Sequence, residues 1–274
     1  PEEGFACGRE SLMYVSVGGH KAFFSTGSGQ HAAENESVLF IHGAGFDHTV
    51  WTLPARYFAR QGRNVIAVDL PGRGLSGGEA LTSIEAMADW LCLLLDELDI
   101  RQASIVGHSM GSLVALNYAA KYPGRVRNLA LLGTSTPMPV SDPLLDAARA
   151  NQHQAIDMAN TWSHSSFAHQ GGNENPGLTL TLSGQRLLER AGPGVYFADL
   201  NACNDFIDGE ILATQVKAET LVILGLEDRM TRASAGRSVA AAISNTRVVE
   251  LDACGHSMLS EQPNAVLDAL ATLV

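Results

Sequence analysis

Ser109 lies in a segment whose residue types and spacing suit nucleophilic catalysis. It is the middle residue of the Gly-x-Ser-x-Gly pattern at 107–111, between the apolar run Ala103–Val106 and a stretch of helical periodicity. A tight strand-to-helix turn lifts a serine hydroxyl clear of the backbone, and the flanking glycines let that turn close. The free N–H groups of the helix N-terminus favour developing negative charge there. Chance supplies the pattern often, but these flanks predict a nucleophile rather than an ordinary helix cap.

A serine nucleophile needs a general base and an acid that orients the base. His256 follows the last apolar run in a loop, and Asp228 directly follows the penultimate one. We therefore predict a Ser109, Asp228 and His256 triad, with each residue at the carboxyl end of a strand. Glu227 is the alternative orienting acid, although its offset from the strand end favours Asp228.

The glycine-flanked turn at 42–45 could supply the donors that stabilise an oxyanion. It follows the apolar run Val38–Ile41, so it should lie at the same sheet edge as Ser109. We predict that the backbone N–H groups of Ala44 and Met110 form the oxyanion hole.

Several elements must bring these residues together. Short apolar segments on either side of Gly18-Gly19 predict a β-hairpin. Six later runs lack strict alternation, which is typical of parallel strands buried on both faces. These runs are Val38–Ile41, Val65–Val68, Ile105–Val106, Leu129–Leu132, Leu221–Leu224 and Val248–Leu251.

Helical patterns alternate with these strands and predict a doubly wound sheet with right-handed crossovers. The patterns cover Thr82–Leu98, Leu113–Tyr122, Thr231–Ile243 and Glu261–Leu273.

The alternation stops over residues 137–208, which are rich in Asn, His, Gln, Ser and Gly. Helical stretches are predicted near Leu144–Ala159 and Leu182–Arg190. We interpret 137–208 as an insertion over the strand ends, called here the cap segment. Residues 1–136 and 209–274 would then form the core domain.

Apolar and aromatic residues near the predicted site are candidates for the substrate pocket, although a core role suits each one equally well. They are Phe46, Trp51, His108, Met138, Trp162 and Phe167.

The remaining histidines show no metal-binding pattern. His42, like His108, is expected to pack and to form hydrogen bonds rather than to catalyse. The spacing of His153, His164 and His169 fits no familiar ligand set, so solvated or pocket-lining roles are expected.

Composition narrows the classes of partner. Lys and Arg total 18 against 29 Asp and Glu, a net charge of −11, and no basic run occurs, so no nucleic-acid partner is expected.

The cysteines Cys7, Cys92, Cys203 and Cys254 form no C-x-x-C pair, and neither disulfides nor a metal site are expected. The longest apolar stretch, Trp90–Leu95, is too short to span a membrane. A cytoplasmic location is the default expectation. The first residue is a proline, which suggests that the native amino terminus has been trimmed.

Five motifs in order resemble those of the α/β-hydrolase superfamily. They are HGAG at 42–45, DLPGRGLS at 69–76, GHSMG at 107–111, GLED at 225–228 and CGH at 254–256. The resemblance implies an α/β fold with a mostly parallel eight-stranded sheet, flanking helices and a helical cap insertion. Ser109, rather than an aspartate, at the strand-to-helix turn counts against haloalkane dehalogenase or epoxide hydrolase chemistry. The overall pattern is similar to that of small bacterial esterases, enol-lactonases, C–C bond hydrolases and cofactor-free haloperoxidases.

We therefore expect a serine hydrolase that acts on a small ester or lactone through an acyl-enzyme, with no metal or organic cofactor. A C–C bond hydrolase acting on a vinylogous diketone is the alternative, although such enzymes usually carry a longer glycine-rich stretch after the His-Gly. A ligand-binding receptor on the same fold is the alternative from another class. Substrate identity and oligomeric state stay open.

Overall fold

The computed structural model describes residues 12–174 and 177–274, so Cys7 lies outside the described residues. Within them, eight strands form a single sheet. The strands are β1 (Leu12–Val17), β2 (His20–Ser25), β3 (Ser37–Ile41), β4 (Asn64–Val68), β5 (Ala103–His108), β6 (Val126–Leu132), β7 (Glu219–Gly225) and β8 (Thr246–Leu251).

The sheet is mostly parallel and confirms the predicted fold class. Its strand order is β1-β2-β4-β3-β5-β6-β7-β8. β1 and β2 form the predicted antiparallel hairpin, and Gly18 and Gly19 in its turn have φ angles of 58° and 82°. The pairs from β3 and β4 through to β8 are parallel. Their carboxyl ends therefore meet at one edge of the sheet.

The structure describes twelve α-helices in residues 12–174 and 177–274. They are α1 (Thr52–Arg60), α2 (Ile84–Glu97), α3 (Met110–Lys121), α4 (Asp142–Arg149), α5 (Gln154–Ser163), α6 (Ser166–His169), α7 (Leu180–Glu189), α8 (Val195–Asp205), α9 (Gly209–Ala213), α10 (Ala233–Ala242), α11 (Met258–Glu261) and α12 (Pro263–Ala271).

The helices cover both faces of the sheet. On β3, Leu39 and Ile41 join one apolar cluster, which includes residues of α2, α3 and α10. Val38 and Phe40 join a second cluster with residues of α1 and α12. Successive residues of a strand point to opposite faces, so a run without alternation fits a sheet with helices on both sides.

One strand departs from the expected burial. β8 is an edge strand that pairs only with β7, and the side chain of Val248 is 40% exposed. The expectation of burial on both faces was therefore wrong for Val248–Leu251, because the face of β8 that carries Val248 and Glu250 is exposed.

The cap segment holds more helices than its sequence pattern indicates. The stretch Leu144–Ala159 is divided into α4 and α5, and Asn151 between them has a φ of 51°. α8 was not predicted at all. Leu144, Leu145, Ala147, Ala148, Ala155 and Leu200 form a small apolar cluster of their own. The division into core and cap domains stays a prediction.

No helix in the described part of the chain is long and apolar enough to cross a membrane. The three described cysteines, Cys92, Cys203 and Cys254, are free thiols.

Candidate active site

Ser109 lies at the turn between β5 and α3, with φ 56° and ψ −123°. This left-handed backbone is strained for a residue with a side chain and is typical of functional turns. Its N–H donates to the carbonyl of Leu132 at 2.9 Å, which holds the turn against β6.

Two glycines make the close packing of this turn possible. A Cβ atom at Gly107 would lie 2.0 Å from the carbonyl oxygen of Gly111, and one at Gly111 would lie 2.3 Å from that of Ile41. These separations are far below van der Waals contact. The pattern around Ser109 is therefore a steric requirement of the turn.

His256 and Asp228 contact each other at the same sheet edge. Nδ1 of His256 donates to Oδ2 of Asp228 across 2.7 Å, and both residues are buried. This contact leaves Nε2 of His256 as the proton acceptor. Glu227, the alternative orienting acid, instead accepts the N–H of Ser166 at 2.7 Å.

The Asp228 carboxylate is satisfied by a set of converging donors. Oδ1 accepts the N–H groups of Met230 and Thr231 at 2.8 Å each, and Oδ2 accepts the hydroxyl of Thr231 at 2.7 Å. Burial raises the pKa of this carboxyl, but His256 and the Thr231 hydrogen bonds outweigh burial and hold the pKa below its usual range. Asp228 is therefore an anion placed to orient the imidazole. Thr231 is a site residue that the sequence pattern did not indicate.

Ser109 and His256 line one cavity of about 160 Å³. No hydrogen bond joins the Ser109 hydroxyl to His256 in the described residues, and such contacts commonly tighten only when substrate binds. Ala44 lines the same cavity, and a Cβ atom at Gly43 would lie 3.1 Å from Cβ of Ser109. The 42–45 turn is therefore packed directly against the serine.

The two predicted oxyanion donors have free N–H groups. No acceptor among the described residues receives the N–H of Ala44 or of Met110. Met110 is the first residue of α3, where backbone donors lack intrahelical partners. The chemistry that this arrangement suits is attack on a carbonyl group whose oxygen becomes negative.

Three of the six predicted pocket residues, Phe46, Met138 and Trp162, line the cavity that Ser109 lines. Sequence analysis missed several other lining residues from the cap segment, because no motif marks them. They include Leu144, Leu188, Tyr196, Leu200 and Cys203.

The structure places Trp51 and Phe167 outside the cavity. Trp51 is fully buried against Phe40, with ring centroids 5.0 Å apart, because it directly precedes α1, which packs on the same face of the sheet as Phe40. Phe167 is 57% exposed on the short helix α6. The structure therefore places neither of these two predicted pocket residues at the cavity that Ser109 lines.

His108 lies behind the site rather than in the cavity of Ser109. Its Nε2 donates to the backbone carbonyl of His256 at 2.8 Å, and it lines a neighbouring cavity of about 260 Å³. Burial lowers its pKa to about 3, and the nearby His256 adds to the decrease. His108 is therefore a neutral residue that supports the His256 loop.

The other histidines also have structural partners. Nδ1 of His42 lies 2.9 Å from the carbonyl of Gly43, and its Nε2 accepts the N–H of Leu70 at 3.2 Å. In the cap segment, His153 lies beside Glu189 at the surface, and His164 is buried with Nδ1 2.8 Å from the Asn160 carbonyl.

His169, also in the cap segment, is exposed, and its Nε2 lies 2.9 Å from the Thr161 carbonyl.

Asp47, His48 and Asp69 form the one described cluster whose potential metal-ligand atoms all lie within 4.8 Å of one another. Asp69 accepts the backbone N–H of His48 at 2.7 Å and contacts its Nδ1 at 2.9 Å. Asp47 pairs with Arg190 at 2.8 Å and accepts the N–H of Thr49. Because these atoms are engaged with protein donors, the cluster fits a network that stabilises the turn.

Comparison with known proteins agrees with this fold. The alpha/beta hydrolase family matches residues 38–269. The chain is 31% identical to 2-hydroxymuconate semialdehyde hydrolase of Pseudomonas putida over 81% of each chain. It is similar in structure to the enol-lactonase of Burkholderia xenovorans LB400, with a TM-score of 0.83, 22% identity, and coverage of 95% of this chain and 98% of that one.

A further relative is matched only in part. The chain is 39% identical over 100 residues to the dihydrolipoyllysine-residue acetyltransferase component of the acetoin cleaving system of Pseudomonas putida. That match covers 36% of this chain and only 26% of the relative.

The family match and the relative matched over 81% of both chains together give the class: the chain belongs to the alpha/beta hydrolase family.

Proposed function

We propose that this protein is a serine hydrolase that cleaves an ester or lactone of a small substrate. The observation that carries the proposal is the buried contact between Asp228 and His256, together with the cavity that His256 and Ser109 both line. The family and the enol-lactonase-like structure support the same chemistry.

In this mechanism, Nε2 of His256 takes the proton of Ser109 as its Oγ attacks the carbonyl carbon of the substrate. The oxyanion accepts hydrogen bonds from Ala44 and Met110. The tetrahedral intermediate then collapses, and the leaving group receives the proton from His256. Water repeats the sequence on the acyl-enzyme, releasing the acid and restoring Ser109. Asp228 holds the histidine tautomer and stabilises the imidazolium.

The size of the cavity supports a small substrate. About 160 Å³ lies below the roughly 300 Å³ at which pockets begin to hold drug-sized ligands. Its lining is mostly apolar, with Met138, Trp162 and Leu200 among the walls. We infer that the part of the substrate that lies beside Ser109 is small and mostly apolar.

C–C bond hydrolysis of a vinylogous diketone is the second candidate. The similarity to 2-hydroxymuconate semialdehyde hydrolase over 81% of both chains favours it. The same serine, histidine and oxyanion donors would serve either reaction.

The experiment compares a short-chain p-nitrophenyl ester, an enol-lactone and a vinylogous diketone with wild-type protein and Ser109→Ala. We expect ester or lactone turnover by the wild type and a loss of at least about 10⁴-fold in Ser109→Ala, because the nucleophile is removed. Ser238→Ala, a surface serine on α10, is the control and keeps full activity. Preferential turnover of the diketone would replace the ester proposal by the second candidate, and unchanged turnover in Ser109→Ala would overturn both.

A further inference from the structure

A buried carboxylate of the cap segment contacts the turn that carries the proposed oxyanion donor. Asp199, on α8, is 0% exposed, and its Oδ2 accepts the N–H of Gly45 at 2.8 Å. Gly45 directly follows Ala44, so this hydrogen bond fixes the peptide next to the one that carries the proposed oxyanion donor. A residue far away in sequence thus restrains the 42–45 turn.

Arg73 completes this arrangement. It comes from the segment after β4, is 3% exposed, and forms an ion pair with Oδ1 of Asp199. Its guanidinium also donates to the carbonyls of Pro71 at 2.6 Å and Leu81 at 3.1 Å. The Asp199 carboxylate is therefore held from one side by Arg73 and presents its other oxygen to Gly45.

The cap segment also encloses Gly45 sterically. Gly45 has a φ of 71°, and a Cβ atom there would lie 2.8 Å from side-chain atoms of both Leu188 and Tyr196. The turn therefore depends on α7 and α8 for its position. Neither the hydrogen bond from Gly45 to Asp199 nor this packing involves the atoms that react in the proposed mechanism.

We propose that Asp199 is a positioning residue that aligns the Ala44 N–H with the oxyanion, and that Arg73 neutralises the Asp199 charge beside it. An unpaired carboxylate this close to the oxyanion hole would oppose the negative charge of the transition state. The pair supplies a hydrogen-bond acceptor for Gly45 without that repulsion. This inference rests on the proposed serine hydrolase function.

The decisive comparison uses two double variants that both lack the ion pair. Arg73→Met/Asp199→Asn keeps an amide oxygen free to accept the Gly45 N–H, whereas Arg73→Met/Asp199→Leu has a side chain of similar size without an acceptor. Replacing a buried ion pair by neutral residues of similar volume often leaves stability unchanged, so both proteins are expected to fold.

Two readouts separate alignment from mere support of the fold. The first is kcat and KM for a p-nitrophenyl acetate assay well below each variant's Tm. The second is the inhibition constant of a trifluoromethyl ketone, whose serine adduct places an oxyanion in the hole. We expect the Asn double variant to stay within about fivefold of wild type and the Leu double variant to lose at least about tenfold in kcat, with little change in KM. Inhibitor affinity should fall in parallel with kcat.

Asp205→Asn, an exposed carboxylate on the same helix, is the matched control and keeps wild-type kinetics. Equal kcat and equal inhibitor affinity in the two double variants would overturn the inference, whatever their Tm values. If one double variant fails to fold, Asp199→Asn alone decides, because its amide oxygen then faces Arg73 and leaves Gly45 without an acceptor. Wild-type kcat in that variant would contradict the proposal. Failure of the serine hydrolase proposal itself would be seen separately, as activity that survives in Ser109→Ala.

Discussion

At the scale of single residues, the site depends on which groups are charged. Asp228 is a buried anion that four donors satisfy, from Met230, Thr231 and His256. His108 is a buried neutral ring that donates a hydrogen bond to the His256 carbonyl. The two histidine rings lie 4.8 Å apart, yet only His256 has a carboxylate beside it. The carboxylate partner fixes the tautomer of the His256 ring and leaves its Nε2 free to accept a hydrogen bond.

The lowered pKa of His108 predicts a pH-dependent loss of stability. Its pKa is about 3 in the folded protein against an ordinary 6.5, so below 6.5 the unfolded chain binds a proton that the folded chain excludes. Unfolding is therefore favoured as the pH falls from 6.5 towards 3. In His108→Gln, which can still donate to the His256 carbonyl, the loss between pH 7.5 and pH 5.5 should be smaller by about 1.4 kcal/mol.

Urea unfolding of both proteins at the two pH values measures this difference. Parallel losses of stability in wild type and His108→Gln would show that His108 takes up a proton in the folded state.

At the scale of elements, the elbow between β5 and α3 tolerates no added atoms. We predict that Gly111→Ala destabilises the protein by at least about 3 kcal/mol, because the new methyl group would lie 2.3 Å from the Ile41 carbonyl. Gly124→Ala is the control, since a Cβ atom at Gly124 meets nothing within 4 Å, and its effect should stay within about 0.5 kcal/mol.

Thermal or urea unfolding of the two glycine variants tests this prediction. Equal stability of Gly111→Ala and Gly124→Ala would mean that β3 moves away from the elbow at little cost.

The sequence predicts elements well where burial on both sides leaves a continuous apolar run. The strands β3 to β7 follow such runs, and the helices α2, α3, α10 and α12 follow helical patterns between them. The carboxyl ends of the strands carry Ser109, Asp228 and His256 to the same edge of the sheet. The helix α1 was not predicted. Its Pro54 is compatible with a helix, because proline is tolerated in the first turn. The side chain of Trp51 then packs under the sheet instead of entering the site.

The cap segment shows why the rest of the site escaped sequence analysis. Tyr196 and Leu188 line the cavity, and both side chains pack against Gly45, which is about 150 residues earlier in the chain. Asp199 likewise has both of its partners in the amino-terminal half. Helical periodicity identifies a buried face, but long-range packing decides what that face touches.

At the scale of the whole molecule, the cap segment is attached to both sides of the site. Beyond the contact at Gly45, Ser257 donates its N–H to the Ser163 carbonyl at 2.8 Å, and Ser165 donates to the buried carboxylate of Glu261 at 3.0 Å. Glu261 also accepts the N–H of Gly255, next to His256, at 3.1 Å. The 42–45 turn and the loop that carries His256 are thus each hydrogen-bonded to the cap segment, whose residues line the cavity. We infer that substrate size and catalytic alignment depend on the same packing.

The central claim is that Ser109 is a nucleophile activated by His256. Its most direct test is mass spectrometry of the protein after exposure to diethyl p-nitrophenyl phosphate, which traps an activated serine as a stable phosphoryl adduct. We predict a single adduct on the peptide that contains Ser109 in the wild type. His256→Ala should show at least about 10³-fold slower labelling, and Ser109→Ala should show none. Stoichiometric labelling at another residue, or labelling of His256→Ala at the wild-type rate, would contradict the account.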